Sequence, residues 1–200
     1  SPVNSLVLAV TYNLTPNTRN VAVIDAKTNT LRFLTQVGTT TASQPVAVAI
    51  NANGSRAYIA NRALTTAPGV VTIYDPVINF IYANVPVGIA PRGLVVSPDS
   101  STVYVVNEGS DDVTKISGTY NGVLGTIPVG DAPYGIVIHP NNKLLYVSVA
   151  NPPSIDVIDA TGDSVITSIP VPNAPRDMAI SQDGSRLYVT GITTAGASSL

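Results

Sequence analysis

Between residues 92 and 129 the apolar positions fall into short runs or alternate with polar ones, as RGLVVS, TVYVVN, DVTKIS and VLGTIPV, parted by PDSS, EGSD and GTYNG. Runs of this length, rich in Val, Ile, Tyr and Thr and bounded by Gly, Pro, Asn and Asp, read as β-strands. No stretch of helical length carries apolar positions at helical spacing. The region therefore predicts four strands joined by tight turns.

The same pattern returns along the whole chain. INANGSRAYIAN (50–61), VSPDSSTVYVVN (96–107), IHPNNKLLYVSV (138–149) and ISQDGSRLYVTG (180–191) place Tyr58, Tyr104, Tyr146 and Tyr188 at intervals of 46, 42 and 42. Pro45, Pro91, Pro133 and Pro175 keep those intervals, and VPVG (85–88), IPVG (127–130) and IPVP (169–172) close each unit, with a looser TQVG (35–38) before them. A unit of four antiparallel strands repeated at about 42 residues predicts an all-β fold, a β-propeller of four-stranded blades. The units run over about 1–38 (partial), 39–88, 89–130, 131–172 and 173–200 (partial), so about four to five blades are expected. The first unit supplies the last three strands of a blade and the last unit the first two, which makes seventeen strands. Closing four blades leaves one strand over. The expectation is part of a longer ring, with the alternative of four blades and an extra edge strand; open blade edges would favour self-association.

IANRA, VYVVNEGSDDVTKI, LYVTG and the closing IPVG resemble the YVTN family of β-propeller repeats, found in bacterial and archaeal surface and secreted proteins. The resemblance implies a ring of about seven blades. It does not choose a function, because similar scaffolds serve surface layers, lactonases, lyases and redox enzymes.

Composition narrows the partners. Hydrophobic residues make up 44% of the 200, enough for a sizeable core, while charged residues are only 11% and the net charge is −2. With no basic run, nucleic acid is not an expected partner. There is no Cys and one His, which removes thiolate chemistry and the usual His/Cys zinc site. No apolar stretch is long enough for a spanning helix, and SPVNSLVLAV lacks both a basic leader and an initiator Met, so a processed or excised chain is expected. The low charge and the wealth of Thr and Asn point to an extracellular or cell-surface setting.

Candidate chemistry lies where the repeat varies. The turn pairs Asn53-Gly54, Asp99-Ser100, Asn141-Asn142 and Asp183-Gly184 are turn formers. Asp25, Asp75 and Asp159, with Ser117 in the same place, are expected to cap the turn after the third strand. His139 corresponds to Asn51, Ser97 and Ser181 and reads as a solvated turn residue. Asn13-Leu-Thr15 and Asn53-Gly-Ser55 match the glycosylation sequon. After the repeated proline come Val46, Arg92, Tyr134 and Arg176, then Ala47, Gly93, Gly135 and Asp177. The first strand of a blade lines the central channel, so Arg92, Tyr134, Arg176, Asp177 and the nearby Asp131 should ring one mouth. Such a rim suits a carboxylate or phosphate; its plainer use is local pairing of Arg176 with Asp177 or Arg92 with Asp131. Glu108, Asp111 and Asp112 form a weak Ca²⁺ candidate without the ligand spacing of a dedicated loop. Two insertions stand out: Gly38 to Pro45 spans 7 positions where later units span 3, and the loop 61–69 is also lengthened.

No nucleophile, base and orienter set is visible, and no cofactor is implied. The reading is a non-catalytic propeller scaffold for extracytoplasmic protein or glycan recognition or for a surface layer. The alternative is a lactonase- or lyase-type enzyme with its site at the channel mouth.

Overall fold

The computed structural model describes residues 5–13, 18–38 and 43–192. Residues 14 and 15 of the first sequon, residues 39–42 of the first insertion and the closing TTAGASSL lie outside the described residues. Among those described there are seventeen strands, no helix, and therefore none long and apolar enough to cross a membrane.

The strands form five antiparallel sheets in chain order. The first holds β1 (Leu6–Asn13), β2 (Thr18–Asp25) and β3 (Thr30–Gln36). Three complete blades follow. They are β4 (Ser43–Ile50), β5 (Ala57–Ala63), β6 (Pro68–Asp75) and β7 (Phe80–Ile89); β8 (Pro91–Val96), β9 (Thr102–Asn107), β10 (Asp112–Ser117) and β11 (Val123–Pro128); and β12 (Asp131–Ile138), β13 (Leu144–Asn151), β14 (Ser154–Asp159) and β15 (Ser164–Pro170). The last sheet pairs β16 (Ala174–Ile180) with β17 (Leu187–Ile192). Strands β4, β8, β12 and β16 pack against one another from blade to blade, which makes them the inner strands.

The period-two pattern has a direct packing consequence, because successive side chains of a strand point to opposite faces. In β9, Val103 and Val105 join Tyr58, Val71 and Ile73 of the second blade, while Tyr104 and Val106 join Ile136, Leu145 and Val147 of the fourth. The apolar core is thus a series of layers between blades. A third layer joins Leu6, Val21 and Val23 to Ala57, Ile59 and Tyr74. The middle strands are almost wholly buried, the inner ones half-buried, and the outer ones expose alternate residues.

The turns behave as their residues predict. Gly54, Ser100, Asn142 and Gly184 all take the left-handed conformation. Asp25 Oδ1 accepts the amide of Lys27 at 2.9 Å, Asp75 Oδ1 that of Val77 at 2.8 Å and Asp159 Oδ1 that of Thr161 at 2.9 Å, while Ser117 Oγ accepts from Thr119 at 3.2 Å. The hairpin turns also join blades: the Ala52 amide donates to Ser100 Oγ at 3.2 Å, and Asn142 Nδ2 to Asp99 Oδ2 at 2.8 Å. His139 belongs to this set. Its Nδ1 accepts the amide of Asn141 at 3.1 Å, and its ring lies half-buried where a Cβ on Gly184 would stand, so it is less solvated than its polar counterparts suggested.

Candidate functional site at the channel mouth

Near its start each inner strand carries a buried proline followed by a β-bulge, at Pro45/Ala47, Pro91/Gly93, Pro133/Ile136 and Pro175/Met178. A bulge sets extra residues against its partner strand and re-aims their side chains. The bulged residues are Val46, Arg92, Tyr134 with Gly135, and Arg176 with Asp177. Close approach of the inner strands depends on small residues here: a Cβ on Gly135 would stand 2.5 Å from the Arg176 carbonyl oxygen. Ser148 Oγ bridges the two strands, accepting the Gly135 amide at 2.7 Å and donating to the Arg176 carbonyl at 2.7 Å.

The bulges bring three successive blades together at one place. The Tyr134 ring has the Arg92 guanidinium 5.3 Å from its centroid and that of Arg176 at 4.6 Å. Each cation–π contact is worth about 0.5–1 kcal/mol where water has access. Arg92 Nε also donates to Glu108 Oε2 at 2.6 Å, and Arg62 approaches the same oxygen at 3.6 Å. Arg176 makes no ion pair among the described residues, and its Nε is buried without an acceptor.

The local pairs foreseen in the sequence are replaced by others. Arg92 pairs with Glu108 and not with Asp131, while Arg176 turns to Tyr134 and leaves the adjacent Asp177 exposed. Asp131 is likewise exposed at the start of β12. The three acidic residues of the calcium candidate are spent separately. Glu108 holds the arginines, Asp111 Oδ1 accepts the Ala132 amide at 2.9 Å, and Asp112 Oδ1 accepts from Asn107 Nδ2 at 2.6 Å. No group of three or more His, Asp or Glu side chains suited to a metal ion forms among the described residues.

Arg62 is the residue that sequence reasoning missed. It follows Asn61 as Glu108 follows Asn107, so adjacent blades carry opposite charges at corresponding positions, and that was the available signal. With Gln44 and residues 63–66 of the lengthened loop it lines a cavity of about 380 Å³. The rim thus sets two guanidinium groups, those of Arg62 and Arg92, about the Glu108 carboxylate, with a third, that of Arg176, across Tyr134 from Arg92.

The geometry alone does not name the family. The family model described as lactonase, 7-bladed beta-propeller, matches residues 78–198. The chain belongs to this family. The fold is accordingly that of a seven-bladed propeller, of which the described residues form five sheets. Among solved structures the chain is similar to hydrazine synthase of Kuenenia stuttgartiensis, with 31% identity and a TM-score of 0.73 over 82% of this chain and 46% of that one. It is also similar in fold to a functionally unknown protein of Desulfotomaculum acetoxidans (15% identity, TM-score 0.77, 94% and 59% covered). A β-propeller domain from Myceliophteria thermophila aligns likewise (14% identity, TM-score 0.70, 92% and 62% covered). The propeller thus spans from about half to about three fifths of these chains. No curated protein matches its sequence.

Proposed function

We propose that the chain is a non-catalytic propeller scaffold whose channel mouth holds an anionic group, a carboxylate first of all, presented by an extracytoplasmic glycan or protein. The observation that carries this is the rim itself: Tyr134 between Arg92 and Arg176, with Arg176 left without a carboxylate partner. A guanidinium already fixed against an aromatic ring loses little freedom on binding, and its planar edge matches a carboxylate in two hydrogen bonds. The nearly uncharged composition and the repeated IANRA and VYVVN segments support a surface or secreted role of the YVTN type, in recognition or in a surface layer.

The family match favours a second reading, lactone hydrolysis at the same mouth. There Arg176 would stabilise the oxyanion formed when water adds to the lactone carbonyl, and Asp177 or Asp131 would take the proton. Calorimetric titration with trigalacturonate and a ring-opening assay on δ-gluconolactone separate the two. Binding that Arg176→Ala abolishes, without acceleration of ring opening, supports the scaffold. Turnover that falls with Asp177→Asn or Asp131→Asn replaces it by the enzyme.

A further inference from the structure

A cavity of about 580 Å³ lies between the third and fourth blades, at the same end as the channel mouth but towards the outside of the ring. Pro128, Pro152, Pro153 and Pro170 give it apolar walls, and Asp156 lies in its lining. Two departures from the repeat coincide here. In the second and third blades a buried Asn at the end of the second strand donates to a buried Thr of the third strand, Asn61 to Thr72 at 3.1 Å and Asn107 to Thr114 at 2.9 Å. In the fourth blade the corresponding residues are Val149 and Asp156. An amide that donated to a hydroxyl has given way to a methyl-bearing wall, and the hydroxyl to a carboxylate.

Asp156 is only 3% exposed. Its Oδ2 accepts the Gly130 amide at 2.9 Å and its Oδ1 the Ser168 hydroxyl at 2.6 Å, so both oxygens serve as acceptors. No Lys, Arg or His pairs with it among the described residues. A buried charge is ordinarily matched by an opposite one. The cavity offers room for that partner beside proline and valine surfaces that suit an aliphatic body.

We infer that this cavity is a binding site for an alkylammonium group, with Asp156 as the charge partner and the four prolines as the apolar walls. The amine is either a free small molecule or the side chain of a lysine. The site is separate from the rim and of opposite charge preference, so it stands whichever reading of the rim holds.

Titration of the ¹⁵N-labelled chain with cyclohexylammonium, followed at the Gly130 amide, tests it. The expected result is a saturable shift with a Kd on the order of 1 mM, and none with the neutral isostere cyclohexanol. Asp156→Asn is expected to weaken binding at least tenfold. Should that variant fail to fold, Val149→Asn with Asp156→Thr copies the pair of the third blade and is expected to fold and lose the shift. Nα-acetyl-lysine methylamide separates the sources: an equal shift assigns the site to a lysyl side chain, and none assigns it to a free amine. Cyclohexanol binding as well as the cation, binding retained in both variants, or no shift at Gly130 up to about 50 mM cation would overturn the inference.

Discussion

Arg92 and Arg176 hold the same place in two blades, each after a buried proline and in a bulge of the inner strand. Both lie against Tyr134, yet only one is neutralised. The second strand of Arg92's blade ends in a segment carrying Glu108, which binds it at 2.6 Å; the corresponding position in Arg176's blade is Ile192. The difference teaches that a repeat position acquires its role from the neighbouring strand. Arg92 is half of an ion pair, while Arg176 keeps a charge to offer.

The largest effect expected from breaking this comparison is on stability. Gly135→Ala forces a methyl group against the Arg176 carbonyl at 2.5 Å and should cost about 2 kcal/mol. Gly93→Ala, whose Cβ would stand 3.2 Å from the Tyr134 carbonyl, should cost about 1 kcal/mol or less. Urea unfolding of the two variants gives the ordering, and equal midpoints would count against a special approach of strands at Arg176.

Next comes the charge itself. Arg176→Ala should weaken trigalacturonate binding at least tenfold, about 1.4 kcal/mol, and Arg92→Ala by less. Ile192→Glu gives the last sheet the carboxylate that the third blade has, and should weaken binding about fivefold by neutralising Arg176. Glu108→Gln does the reverse, and a gain of about threefold is expected from the freed Arg92 and Arg62. Calorimetry on the same ligand reads all four changes.

The smallest effect is a shared one. Hydroxyl and amide donors hold the carboxyls of Asp99 and Asp183 below the ordinary range, Ser181 and Ser185 bringing Asp183 to about 2. A lowered folded-state pKa contributes stability that is complete above the unfolded value and lost as pH falls through the folded one. Thermal unfolding should therefore hold steady down to about pH 4 and decline towards pH 2. Asp183→Asn should flatten the decline.

The strands, their grouping and the turns were legible because each rests on local chemistry. Alternation sets which face of β9 meets which blade, and Asn, Asp and Gly accept the turn conformations at 54, 142 and 184. The rim was legible as a set of positions, since the repeat aligns Arg92, Tyr134 and Arg176. Their partners were not. Residues adjacent in the chain, Arg176 and Asp177, are parted by the bulge, whereas Arg62 meets Glu108 from another blade, 46 residues away. The Asp156 cavity escaped for a related reason: its sign is a pair of substitutions, at 149 and 156, whose meaning depends on the hydrogen bond that the other blades make.

The central claim, that Arg176 is the open charge of the rim, is tested most directly by the Nε–H resonances of the arginines during titration with trigalacturonate. The Arg176 signal, buried and without an acceptor, should shift saturably, while that of Arg92, already donating to Glu108, should hardly move. Movement of Arg92 with Arg176 unchanged, or of neither, would contradict it.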